Sequence, residues 1–515
     1  MKLKGLIAGL LFISILSTAQ QLTINEIFNN GAVLQQNSKV LIWGTASPGS
    51  EVTVEIQGKN FRTKTNTDGK WTDELKALKA GGPFEMTVKS GTSSLKFNEI
   101  YVGEVWIAGG QSNMGFRLDK AEGGEKEIAN AQNKNIRFVM VPVITYPGQK
   151  TPGDMNWRTA TTKNMSPMSA VAYFFAKDLQ KKLNVPVGII CCYKGGTSAE
   201  VWMSRETLLS NPEHAPIVKS YEEYTESLGN DRYEALYKKY LSEYKLYKDS
   251  VKSGFENAVR PVEPMGDKNY KRPYVLYDNM FKRIIPYSSK GVIWYQGEAN
   301  AKRAEQYKTL FPALITEWRS DLQNKNLPFL FVQLADYDHP AYGVKPYWAE
   351  LREAQLQTWE KVKNTGMAVS IDKGEKNDIH PTYKEPVGKR LAAIAFNRVY
   401  DMNVPYSGPL CKNMKIKANK AVLSFDFVYG GLTSDGELKG FTICGDDKKF
   451  VPAEAVITGD KIEVSSPLVA HPVAVRYGWV NWTDANLKNT AGFPASPFRT
   501  DHFELLTHNV KATNY

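Results

Sequence analysis

The sequence is poor in the residues that build disulfide frameworks and metal cages: 515 residues carry four cysteines and six histidines. Cys191, Cys192, Cys411 and Cys444 contain no C-x-x-C pair, which argues against a zinc site, and they are too few to staple so long a chain. Cys191 and Cys192 fall in an apolar run and read as core residues, whereas Cys411 and Cys444 could bridge in an exported protein. A basic block is missing as well. The formal charge is +11, yet Lys and Arg are scattered among acids, so a solvated basic surface is indicated rather than a nucleic-acid stripe. Beyond the N-terminus no apolar run approaches the ~20 residues that span a bilayer. An apolar fraction of 42% with 11% aromatics excludes extended disorder.

What is present begins with "MKLKGLIAGLLFISILSTAQQ". Lys2 and Lys4 precede an apolar run from Leu6 to Leu16, and Ser17-Thr18-Ala19 supplies small residues for cleavage. Residues 1–19 therefore read as a signal peptide, predicting export to a periplasm, an organelle lumen or the cell exterior. At about 150 residues per domain, the length suggests roughly three domains.

Residues 20–100 alternate short β-rich runs with turn signals, Asp68-Gly69 among them, and read as a small β-sandwich. Strand grammar returns over 401–515 in "AVLSFDF", "KIEVSS" and "PVAVRYGWVN", a second β-domain. Between them, over 101–400, apolar strands appear at "EVWIAGG", "IRFVMVPV", "VPVGIICCYKGG", "GVIWYQGE", "FLFVQLADY" and "GMAVSID". Helical stretches lie at 167–182, 302–322 and 347–363. Apolar strands spaced by helices predict a parallel sheet covered on both faces, with its ligand crevice at the carboxyl ends of the strands. An insertion at 205–285 carries Tyr233, Tyr237, Tyr240, Tyr244 and Tyr247 at helical spacing. Such a stripe is expected to pack, the alternative being an aromatic wall beside a substrate.

"IAGGQSNMGF" places Ser112 just past a strand, and a nucleophile at a strand-to-helix corner is one reading of it. The G-x-S-x-G elbow of α/β-hydrolases is not met, because Met114 stands at its second glycine. Six histidines keep the search for a base short. His380, in "NDIHP" with Asp378 two residues before it, leaves the last core strand; His339 in "DHPAYG" is a competitor. The order Ser, Asp, His suits a triad. Oxyanion donors are offered by the glycine pair of "YKGGTSAEVW" and by the Gln296 amide of "IWYQGEANA". No His/Asp cluster has metal-ligand spacing, and no cofactor is expected.

"GQSNM", "GGTSAEVW", "GVIWYQGEAN" and "NDIHP" together resemble the sialate O-acetylesterase family of SGNH-type hydrolases. "AVLQQNSKVLIWGTASPGSEVTVEI" and "HPVAVRYGWVNWTDANLKNTAGFPASPFRTD" extend the likeness across nearly the whole mature chain. The resemblance implies a flavodoxin-like α/β/α core flanked by β-domains, acting without a metal on O-acetylated carbohydrate. Sialic acid is the named substrate, and related enzymes act on xyloglucan. It also implies Ser112 as nucleophile, His380 as base, and an oxyanion hole from the Ser112 N–H, Gly196 and Gln296. Many SGNH hydrolases place Asp three residues before the His, where this chain has Asn377; the "NDIHP" form selects Asp378 as the acid. Asp372 and Glu298 stay open as the acid or as its support, Glu298 alternatively as a group orienting Gln296 or His380.

Overall fold

The computed structural model describes residues 20–150, 153–255 and 258–511, so the signal-peptide expectation lies outside the described residues. The strand Ser93–Gly110 (β1) is the axis of the fold. Its first residues are exposed or half-buried, whereas every position from Ile100 to Gly110 is buried. The first stretch pairs antiparallel with Gly81–Ser90, and residues 101–103 pair in parallel with Val33–Gln35. The later stretch lies in a sheet covered on both faces, where polar alternation has no place. The change of grammar expected at 100/101 thus falls inside one strand, and the outer β-region and the central sheet share its ladder.

Gln132–Met140 (β2), Val187–Tyr193 (β3), Gly291–Tyr295 (β4), Phe329–Val332 (β5) and Thr365–Ala368 (β6) complete the parallel set. Across the sheet the order is β2, β3, β1, β4, β5, β6, with Arg158–Thr161 antiparallel on the outer edge of β2. That edge strand is an addition to the expected pattern. The chain fills one side of β1 with β2 and β3 and then crosses to β4 on the other side. This reversal puts the carboxyl end of β1 between the loops that follow β3 and β4, the place where open α/β sheets carry their ligands.

Helices lie on both faces. The Trp106 ring packs edge-on against Phe175 of Ala170–Leu183 (α1), while Gly109, on the opposite side of the strand, meets Trp318 of Ala304–Asp321 (α3). Tyr347–Lys361 (α4) packs with α3, and Lys384–Arg398 (α5) packs with α1. The α1–α5 approach is close: a Cβ on Gly388 would stand 2.7 Å from the Phe174 Cβ.

Within the insertion, Asn230–Lys252 (α2) buries only Tyr233, and its five tyrosines form a ladder with ring centroids 5.6 to 5.9 Å apart. The C-terminal region forms two four-stranded antiparallel sheets around a core that includes Leu423, Phe425, Ile443, Ile462 and Val475. Cys411 belongs to one sheet and Cys444 to the other; both are free, so the bridge the sequence allowed is not formed. Among the described residues no helix is long and apolar enough to cross a membrane.

Candidate active site

The two glycines before Ser112 are required by packing. A Cβ on Gly109 would lie 2.9 Å from the Trp294 ring and 3.1 Å from that of Trp318. Gly110 has φ +125°, and a Cβ there would come within 2.2 Å of the Tyr295 carbonyl oxygen. The Gln111 N–H then donates to that same carbonyl at 2.9 Å, tying the end of β1 to β4. Ser112 follows on a turn, and the next ordered element is the short 3-10 segment Leu118–Lys120. The expected strand-to-helix corner is therefore a strand-to-turn corner, without a helix dipole behind the serine.

His380 Nε2 stands 2.8 Å from Ser112 Oγ. Burial pulls its pKa below the ordinary value and nearby Lys384 adds to this, while Asp378 opposes both. The loop carrying His380 is tied down locally: Glu375 Oε1 accepts from the Thr382 N–H at 2.7 Å and from its hydroxyl at 2.9 Å. Asn113, the neighbour of the serine, donates to the Ile379 carbonyl at 2.9 Å.

The three candidate acids part company. Asp378 Oδ1 is 3.7 Å from His380 Nδ1, with its side chain 57% exposed, and accepts the backbone N–H of His380 at 2.8 Å. Asp372 is turned to Arg390 in a two-pronged pair of 2.6 and 2.7 Å. Burial alone would raise its pKa, but that guanidinium holds it below the ordinary carboxylate range. Glu298 is buried and accepts from Asn113 Nδ2 at 2.5 Å, touching neither Gln296 nor His380 through a hydrogen bond. The competing base His339 stacks flat on Tyr342 at 3.7 Å and accepts the Ala341 N–H.

On the other side of the serine lies the loop after β3. A Cβ on Gly195 would press to 3.2 Å from the Ser112 Cβ, and Gly196 adopts φ +73°. The backbone N–H groups of Ser112 and Gly196 donate to nothing among the described residues, which leaves two amide donors beside the serine. Gln296 is placed differently. Its side chain is fully buried; Nε2 donates to Asn300 Oδ1 at 2.6 Å and to the Thr197 carbonyl at 3.3 Å, and Oε1 accepts the Tyr307 hydroxyl at 3.0 Å. Asn300 in turn bonds the Ala199 N–H and Glu200, and Glu200 pairs with Arg303. Gln296 thus braces the loop that carries Gly196 and has no amide hydrogen left for another acceptor.

Sequence reasoning missed a rim beyond Gly196. The Tyr270 hydroxyl would be 3.3 Å from a Cβ on Gly196, and the Lys194 ammonium lies 4.9 Å from the Tyr270 ring centroid and that of Lys271 5.7 Å. Burial lowers the pKa of Lys194 and nearby Arg260 lowers it further. Glu263, raised by burial, sits among Lys194, Arg260 and Lys271. Three cations lie within electrostatic reach of one carboxylate here. Also missed were Asn113 and Lys384; a lysine opening a helix runs against the helix dipole and was a legible signal. No group of three or more His, Cys, Asp or Glu among the described residues is placed to hold a metal ion.

Comparison with known proteins points to an esterase. The family described as carbohydrate esterase, sialic acid-specific acetylesterase, matches residues 102–235 and 264–397, leaving out most of the tyrosine helix. The sialate O-acetylesterase of Mus musculus is 29% identical over 91% of this chain and 92% of its own length. That of Homo sapiens is 27% identical over 93% and 92%. Among solved structures, a carbohydrate acetylesterase from Xanthomonas citri superposes with a TM-score of 0.78 at 36% identity, over 93% of this chain and all of its own. Fold, site and relatives together define an esterase that removes acetyl groups from carbohydrate. The chain belongs to the carbohydrate esterase family of sialic acid-specific acetylesterases.

Proposed function

We propose that the protein is a metal-independent serine esterase that deacetylates O-acetylated sialic acid through an acetyl-enzyme. The observation that carries this reading is the 2.8 Å contact between Ser112 Oγ and His380 Nε2 beside two unengaged backbone N–H groups. Neutral His380 takes the Ser112 proton as Oγ attacks the acetyl carbonyl. The Ser112 and Gly196 N–H groups receive the tetrahedral oxyanion, with Gln296 holding the Gly196 loop in place. Collapse breaks the bond to the sugar oxygen, which leaves with the proton from His380. Water, deprotonated by the same imidazole, then releases acetate and restores Ser112. Asp378 biases the imidazole tautomer from the solvent side.

The rim supports an anionic sugar, since Lys194, Arg260 and Lys271 outnumber Glu263 next to Gly196. In this reading residues 101–400 form an SGNH-type hydrolase core with the insertion 205–285. The segments 20–100 and 401–515 flank it as β-sandwiches, and residues 1–19 direct export. The second reading is deacetylation of another acetylated glycan such as xyloglucan or xylan, which the carbohydrate acetylesterase from Xanthomonas citri keeps in view.

Acetate release from O-acetylated sialic acid, acetylated xyloglucan and acetylated xylan, with the Ser112→Ala variant alongside, decides among them. Highest kcat/KM on the sialic acid, lost in the variant, is the expected result. Preference for a neutral glycan overturns the substrate assignment, and turnover surviving in the variant overturns the nucleophile.

A further inference from the structure

The side chain of Asn113 is 2% exposed and every one of its polar groups is engaged. Nδ2 donates to Glu298 Oε1 at 2.5 Å and to the Ile379 carbonyl at 2.9 Å, while Oδ1 accepts from Lys384 Nζ at 2.6 Å. The partners come from three separate segments: Glu298 follows β4, Ile379 precedes His380, and Lys384 opens α5. One amide therefore joins the residue after the serine to the residue before the histidine.

An amide turned end for end keeps its shape and exchanges donor for acceptor. Turned here, its carbonyl oxygen would face a carboxylate and a backbone carbonyl, and its NH₂ would face an ammonium. The opposite charges of Glu298 and Lys384 make that state repulsive at each contact. Both charges are costly to keep. Lys384 is 1% exposed, beside the rings of Phe116 and Tyr295 at 4.8 and 5.5 Å. Burial pulls its pKa down to about 7, against the pull of Glu298, Glu375 and Asp378. Burial raises Glu298, whose Oε2 has no hydrogen-bond partner among the described residues. Buried charges compare poorly with apolar packing as a source of stability, so stability alone is a weak account of these two.

We propose that Asn113 is a positioning residue that clasps the base loop to the serine loop, with Lys384 and Glu298 fixing the direction of its amide. By gripping the Ile379 carbonyl it keeps the His380 ring in reach of Ser112 Oγ. The inference rests on the Ser112–His380 reading of the site. A misplacement of ~1 Å between reacting groups costs on the order of 10²-fold in rate.

The test measures kcat and KM on a small acetyl ester for Asn113→Ala, Lys384→Met and the double variant, well below each melting midpoint. Asn113→Ala lowers kcat about 100-fold with KM within about twofold. On the pH-independent plateau, where the direct effect of Lys384 on His380 protonation drops out, Lys384→Met lowers kcat about tenfold and the double variant is no slower than Asn113→Ala, because there Lys384 acts through an amide that is gone. Should either single variant fail to fold, Lys384→Met with Glu298→Gln removes both charges and leaves no unpaired ion. A kcat loss at constant KM in that variant supports the clasp, and wild-type kcat overturns it. Losses that multiply in the double variant, or that fall on KM, also overturn it. The Ser112→Ala variant separates the two claims. If it still turns over, the site reading fails; if it is inactive while the Asn113 and Lys384 variants keep wild-type kcat, the clasp alone fails.

Discussion

Replacing Asp378 by Asn tests how the proposed site would stabilise an imidazolium at His380. The amide oxygen of Asn can still accept the His380 backbone N–H, now bonded at 2.8 Å, so the loop keeps its shape and one charge is removed. That charge lies 3.7 Å from Nδ1 on a side chain that is 57% exposed. At this separation two unit charges in water attract by about 1 kcal/mol. Exposed pairs measured by double-mutant cycles deliver about 0.2–1 kcal/mol. Since about 1.4 kcal/mol is tenfold in rate, Asp378→Asn should lower kcat/KM by less than about tenfold. A buried, directly bonded triad acid is instead worth on the order of 10⁴. The assay is steady-state hydrolysis of an acetyl ester at neutral pH, repeated from low to high salt, where screening should narrow the gap between variant and parent. A loss of about 10³ or more, insensitive to salt, would rule this weak, screened role out and make the carboxylate a desolvated partner of the ring.

Because burial and Lys384 both depress the pKa of His380, its neutral, basic form persists to lower pH than an ordinary imidazole. The acid limb of the kcat/KM profile should therefore have its midpoint below about 6.5 and a plateau above it; a midpoint above 7 would contradict this. Gly196→Ala must hold an L-residue at φ +73° with its Cβ 3.3 Å from the Tyr270 hydroxyl. Displacing that N–H should cost about 10²–10³ in kcat with a small effect on KM, and steady-state kinetics at fixed pH would show it. Lys194→Gln and Arg260→Gln should each raise KM for O-acetylated sialic acid several-fold, ~0.5–1 kcal/mol apiece, while leaving a neutral acetyl ester unaffected. Equal effects on both substrates would remove the rim from substrate recognition.

The parallel sheet was legible because its strands are buried on both faces. Runs such as Val187–Tyr193 and Gly291–Tyr295 lack polar alternation and so differ in kind from the outer strands. The glycine pair before Ser112 was visible, but its reason was not: the Trp294 and Trp318 rings that exclude a side chain at Gly109 come from far along the chain. Scarcity of histidine brought His380 forward. The acids were harder, since Asp372, Asp378 and Glu298 are equivalent as letters and differ only in partners. Arg390 takes Asp372 and Asn113 takes Glu298, both through contacts that local sequence does not encode. Gln296 shows the same limit. An amide after a strand end suits an oxyanion donor, yet Asn300, Thr197 and Tyr307 absorb its hydrogen-bonding capacity. The cationic rim was hidden for a related reason, as Lys194 belongs to the loop after β3 and Arg260 and Lys271 to the insertion, and folding alone gathers them.

In the proposed mechanism one hydroxyl, on Ser112, carries the acetyl group between sugar and water. Rapid quenching of the enzyme during turnover, followed by peptide mass mapping, tests it most directly. One added acetyl group is expected on the peptide containing Ser112, present during turnover and absent after substrate is exhausted. Full turnover with no acetylated intermediate in the wild-type enzyme and undiminished activity in Ser112→Ala, or an acetyl group carried on a different side chain, would contradict it.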